Sequence, residues 1–282
     1  MAASLLYGIA PSIQKELLWH GSTPVALVVV CNTFAALFAL LFCVVRRESL
    51  RISPKQLLQT ALVGGIGMGV TELVLNEAYV FIPVGFATMI HFLFPAIVCL
   101  TMALFFRERL TPLKAGAILL SLGGLLLLTG VGRGGALTGV LLALLSSVTY
   151  SFFLIANDRW SIRSLPQMTL SFYVNLFTVL VNLIVSLFTK NVYPVIPSDW
   201  MLCALVGAMF CCAIFAIGLG VARMGAGTAS FFSMLEPIVS LLVSALVFHY
   251  AISGRSALGC LLILASMLLV AIQDRQKGRA VI

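Results

Sequence analysis

The chain has 282 residues, 61% of them hydrophobic and 9% charged, with 17 Lys and Arg against 9 Asp and Glu, a net charge of +8 and a mean hydropathy of +1.14. A soluble domain carries about a quarter charged residues, so a water-soluble globular fold is excluded, and apolar runs long enough to cross ~30 Å of hydrocarbon recur throughout. Alternating ten-residue strands are absent, which excludes an outer-membrane barrel and leaves helices as the spanning element.

Cuts at charge, proline and glycine clusters predict ten helical segments: 2–18, 23–45, 56–75, 84–106, 113–131, 137–157, 167–189, 199–219, 226–248 and 253–273. The first carries Tyr7 before Gly8 and, near its far end, Lys15, Glu16 and Trp19. A lysine there snorkels to the interface in the plain reading and reaches a binding pocket in the other. The third segment has Gly64, Gly65, Gly67 and Gly69, which permit close helix contact. Glu72, Asn76 and Tyr79 then share one face at its exit, and Glu77 lies nearer the boundary.

The fourth segment places Thr88, His91 and Pro95 one turn apart. A proline lacks the amide hydrogen and frees the carbonyl four residues back, here that of His91. An intramembrane imidazole reads either as a neutral packing partner or as a proton relay. The basic loop "RERLTPLK" follows, with Glu108 between two arginines as a local ion-pair or capping residue. Tyr150 in the sixth segment and Tyr173 in the seventh offer rings and hydroxyls to a midplane pocket. Asn175 and Asn182 share a face suited to interhelical hydrogen bonds.

The ninth segment, "FFSMLEPIVSLLV" at its centre, puts a carboxylate and a helix breaker in mid-membrane. Glu236 there is costly unless paired, hydrated or protonated, so it faces a cavity or bonds across a helix interface. Ser230, Ser233, Glu236, Ser240 and Ser244 recur at helical spacing on one face. Pro237 frees the carbonyl of Ser233 as Pro95 frees that of His91.

Basic residues set the orientation. With the N-terminus inside, Arg46, Arg47, Arg51, Lys55, Arg107, Arg109, Lys114, Arg159, Arg163, Arg223, Arg275, Lys277 and Arg279 fall on the cytoplasmic side. Only Lys15, Arg133, Lys190 and Arg255 fall outside. This bias predicts both termini in the cytoplasm of a multi-pass inner-membrane protein. It also accounts for the positive charge without a nucleic-acid partner. The 7 cysteines sit in apolar segments and form no CxxC pair, so they read as packing residues. No cofactor or metal motif is found, and no GxxxxGK[ST] phosphate loop.

The chain also repeats. One fixed offset aligns Gly65 with Gly207, Gly85 with Gly227, Pro95 with Pro237, Ala103 with Ala245 and Phe106 with Phe248. It also sets Lys15-Glu16 opposite Asn157-Asp158. Because the offset spans an odd number of segments, the halves 1–136 and 137–282 are inverted five-helix repeats. That architecture belongs to secondary transporters, with the substrate near the midplane.

"LLYGIAPSIQKELL" at 5–18, "HFLFPAIVCLTMALFFRERLTPLKAGAILLSLGGLLLL" at 91–128 and "SFFSMLEPIVSLLVSALVF" at 230–248 resemble the EamA-type drug/metabolite transporter superfamily. The resemblance covers nearly the whole chain. It implies ten helices in five-plus-five topology and export of amino acids, other metabolites or drugs. Two departures stand out: Tyr250 replaces the acidic residue that usually ends the ninth helix, and Tyr7 stands where Trp is usual.

The expected function is secondary export of a small polar metabolite, such as an amino acid or related amine, by alternating access, proton-coupled or as a facilitator or exchanger. Glu236, His91, Glu72, Asn76, Ser233, Ser230, Tyr150, Tyr7 and Lys15 are the candidate binding or coupling residues, with Pro95 and Pro237 as helix kinks. A passive channel-like facilitator is the alternative. An intramembrane enzyme is the weakest reading, since HExxH and GxSxG are missing. The lipid bilayer and a small-molecule substrate are the expected partners; monomer and homodimer both remain open.

Overall fold

The structure, a computed structural model, describes residues 2–82, 84–108, 111–129, 137–194, 196–248 and 253–279. Among them helix follows helix with no strand. The helices are α1 (Ala2–Trp19), α2 (Pro24–Arg46), α3 (Pro54–Leu62), α4 (Thr71–Phe81), α5 (Val84–His91), α6 (Phe94–Phe106), α7 (Pro112–Thr129), α8 (Leu137–Arg159), α9 (Gln167–Ser186), α10 (Pro197–Ser233), α11 (Glu236–Phe248) and α12 (Gly254–Arg279). A π-helical stretch, Val63–Val70, joins α3 to α4, and a 3₁₀ turn, Ser161–Ser164, precedes α9.

Among the described residues, five runs are long and apolar enough to cross a membrane: Pro24–Arg46, Pro54–Phe81, Leu137–Arg159, Gln167–Ser186 and Pro197–Val243. Phe94–Phe106, Pro112–Leu127 and Gly254–Val270 are shorter apolar helices. The protein is therefore an all-helical membrane protein.

Local chemistry explains where helices start and stop. Prolines open α2, α3, α7 and α10, where a missing amide hydrogen costs nothing. Ser53 and Gln56 form a reciprocal capping box before α3: the Ser53 hydroxyl accepts from the Gln56 amide at 3.2 Å, and Gln56 Oε1 accepts from the Ser53 amide at 3.0 Å. Arg47 closes α2 in the left-handed region at φ 55°, its amide turned back to the carbonyls of Cys43 and Val44.

Three results differ from the sequence reading. The third segment runs on to Phe81 rather than ending at 75, because the polar face of Glu72, Asn76 and Glu77 lowers hydropathy without ending the helix. The ninth segment is not one straight helix. Gly225, at φ 77° and ψ 161°, separates it from the eighth, and a turn at Met234–Leu235 interrupts it again. Ser230 and Ser233 thus lie on a different helix from Glu236 and Ser240 and share no straight face with them; the Ser244 side chain lies outside the described residues. Finally, Glu108 pairs across the fold with Arg159 rather than locally. Tyr250 lies outside the described residues.

Without water, close backbone approach and polar contacts across helices hold such a bundle together. The π stretch lies against α9, and a methyl on Gly64 would come within 2.6 Å of the Val174 carbonyl. Thr178 donates to the Gly64 carbonyl at 2.9 Å, and Asn182 to that of Gly69 at 3.3 Å. Asn175 instead bonds Ser171 within its own helix, at 2.7 Å to the carbonyl. α7 pairs with α12, where Gly124 faces the Gly259 carbonyl. α1 packs on α11 through Gly8, whose added methyl would meet Val239 at 2.6 Å and the Glu236 carbonyl at 2.9 Å.

Candidate functional site

The site grows from two interrupted helices. Pro95 in the first turn of α6 and Pro237 in that of α11 both lack the amide that would continue the preceding helix. α5 accordingly ends at His91 and α10 at Ser233. A serine from a neighbouring helix serves a carbonyl beside each interruption. Ser151 of α8 shares its hydroxyl proton between the Ser147 carbonyl at 2.7 Å and the Phe94 carbonyl at 3.2 Å, and Ser4 of α1 donates to the Phe232 carbonyl at 2.8 Å. Irregular backbone at membrane depth is tolerated where protein groups satisfy it in this way.

Around the first interruption the side chains are packed. His91 is buried, and its ring lies 5.4 Å from Tyr150, 5.5 Å from Phe94 and 5.6 Å from Phe92. Its Nδ1 lies 3.0 Å from Ser146 Oγ, and that hydroxyl donates its one proton to the Ala143 carbonyl at 2.6 Å. Nδ1 is therefore the donor, which leaves Nε2 as an acceptor. Tyr150 lies towards both interruptions: its ring stacks 5.6 Å from Phe153 and sits 4.7 Å from Phe94, and its hydroxyl lies near Ser233.

Around the second interruption the polar groups are open. Glu236, the first residue of α11, is half-buried. Among the described residues its carboxylate has neither a hydrogen-bond partner nor a counter-charge. It lies within electrostatic reach of Tyr7, Tyr79 and Tyr150. Glu72 also reaches Tyr7, and it accepts a hydrogen bond from Asn32 Nδ2 at 3.0 Å. The Tyr7 hydroxyl, buried within electrostatic reach of both carboxylates, has no hydrogen-bond partner among the described residues. Its ring lies 5.5 Å from Phe210. A cavity of ≈200 Å³ has Ser233 in its wall, together with Ser4, Leu154, Ile217, Ala229 and Phe232 among others; Glu236, Glu72 and Tyr7 do not line it.

Of the residues proposed from sequence, the structure brings together Glu236, Glu72, Tyr7, Tyr150, Ser233 and His91, with Tyr79 beside them. Asn76 is half-buried on α4 and makes no side-chain hydrogen bond among the described residues. Ser230 is not part of the group, since its buried hydroxyl donates to the Gly227 carbonyl at 2.7 Å. Tyr173 reaches the Leu50 carbonyl at 2.9 Å, at the end of the bundle rather than its middle. The Lys15 side chain lies outside the described residues.

Two participants escaped the sequence reading. Asn32, 1% exposed in the otherwise apolar α2, was detectable by the rule that polar residues inside a membrane segment need a partner. Ser146 carried no such signal among the many serines of the chain.

Comparison with known proteins gives three results. The model of the EamA-like transporter family matches residues 1–130 and again 137–272, so the domain is a two-repeat one. A crystal structure at 22% identity, covering 97% of this chain and 95% of its own, superposes with a TM-score of 0.83, a likeness that shows the fold. No curated protein sequence matches at a significant level.

Proposed function

Because the chain belongs to the EamA-like transporter family, and is thus a membrane transporter of the drug/metabolite type, we propose that it exports a small metabolite carrying an amine, an amino acid or related zwitterion, by alternating access. In this reading ten helices form two inverted five-helix repeats, 1–136 and 137–282. Both termini are cytoplasmic and the site lies midway across a cell's inner membrane. The observation that carries the reading is the pair Glu72 and Glu236, both within electrostatic reach of Tyr7, with no Lys or Arg acting on any of the three among the described residues. An ammonium group fits between two carboxylates, whereas a phosphate or nucleotide would need cations there. The free Tyr7 hydroxyl and Nε2 of His91 supply a donor and an acceptor for the remainder of such a substrate.

The test is flux in proteoliposomes with a panel of labelled amino acids and amines. At least one should show saturable uptake, and Glu236→Gln should lower it about tenfold or more, the loss expected when a charged hydrogen bond is removed. Flux that never saturates and survives Glu236→Gln would instead favour a passive channel. Collapse of an imposed pH gradient abolishes accumulation if a proton is the coupling ion and leaves it intact if the protein is an exchanger.

A further inference from the structure

Two polar clusters lie away from the site, one at each end of the bundle. At the end of α8, Asp158 is 5% exposed and holds three partners. Arg163 NH1 lies 3.1 Å from Oδ1, Arg159 Nε 3.4 Å from Oδ2, and the Ala226 amide donates to Oδ2 at 3.4 Å. Ala226 follows Gly225, whose φ of 77° breaks α10, so the carboxylate caps the helical arm that leads to Ser233 and Glu236. Arg163 NH2 also donates to the Ala222 carbonyl at 2.9 Å, and Arg159 pairs with Glu108 beyond α6. Three connections of the fold are thus tied to one carboxylate.

The other cluster lies at the end of α1. Glu16 is 3.6 Å from His20 Nε2, and His20 Nδ1 is 2.8 Å from Asp199, which is 2% exposed at the start of α10. The repeat offset that sets Glu16 opposite Asp158 sets Val84, the first residue of α5, opposite Ala226. α8 packs against α10, but α1 makes no comparable contact with α4 or α5 among the described residues. Glu16, 47% exposed, is turned to His20.

We propose that Asp158 and Glu16 are reciprocal latches of the two ends of the transport path. The Asp158 latch is engaged in this structure at the end assigned to the cytoplasm and fixes the junction at Gly225, while Glu16 is released. In the opposite state Asp158 parts from Ala226, and Glu16 leaves His20 to cap the amide of Val84. The two closures exclude each other, as alternating access requires. The proposal rests on the inverted-repeat reading above, but on none of the residues placed in the substrate site.

Hydrogen–deuterium exchange on the full-length protein in nanodiscs tests it without a substrate. Asp158→Ala should speed exchange of the amides at 225–228 roughly three- to thirtyfold, the range expected for loss of one helix cap. It should also slow exchange at 84–87. Glu16→Gln should do the reverse at both places, and Asp158→Glu, which keeps the carboxylate, should match the parent and show that the site tolerates substitution. Changes confined to each variant's own junction, or absent altogether, overturn the proposal. Its failure is separable from failure of the transport reading: saturable flux with uncoupled exchange sinks the latches alone, and reciprocal exchange without flux sinks transport alone.

Discussion

The turns at Phe92–Leu93 and Met234–Leu235 interrupt two repeat-related helices by the same backbone device, with a proline just beyond each turn. Phe92 and its repeat counterpart Met234 are both 1% exposed, but the side chains around them differ. The first turn is closed by Phe92 and Phe94, each 1% exposed, with Tyr150 across them and His91 tied to Ser146. The second is flanked by half-buried Leu235 and Glu236 and leaves the carboxylate unpartnered among the described residues. At the position of Glu236 the first repeat has Phe94. The backbone symmetry therefore supplies two hinges, and side-chain chemistry makes one of them a packed pivot and the other a polar face.

The comparison breaks most completely if Glu236→Phe, which gives both interruptions the same residue, leaves transport intact. The expectation is a fall in saturable flux of about ten- to hundredfold in proteoliposomes, with the protein still folded and monodisperse. A smaller effect sharpens the packed side. His91→Ala removes a buried ring and one hydrogen bond and should lower stability by about 2 kcal/mol in reversible unfolding from mixed micelles. Smallest is Ser146→Ala, expected to cost about 1 kcal/mol in the same assay because Nδ1 of His91 then loses its acceptor. If Ser146→Ala proves as costly as His91→Ala, the hydrogen bond rather than ring packing holds the first turn.

Much of this was legible in the sequence because hydropathy, prolines and glycines act locally. The turn before Pro95 and the close approach at Gly64 both follow from one residue's geometry. The end of α4 was misplaced because a helix that lines a polar region looks in sequence like a helix that has stopped. Pairings between distant segments were not legible. Glu72 meets Asn32, and Asp158 meets Ala226, only through the way whole helices pack. Glu108 was read as a local group because its arginine neighbours in sequence were visible and Arg159 was not.

The π stretch Val63–Val70 also sets an angle. A regular helix turns about 100° per residue, so each residue accommodated in a wider turn rotates everything beyond it relative to everything before it. The rotation falls between the Ser53 capping box, which anchors the start of α3, and Glu72, two residues past the stretch. The direction in which Glu72 points is thus phased by the eight residues of the stretch before it, held by the carbonyls of Gly64 and Gly69 to Thr178 and Asn182 on α9. Packing along α9 therefore acts as the indexing stop for a carboxylate on another helix.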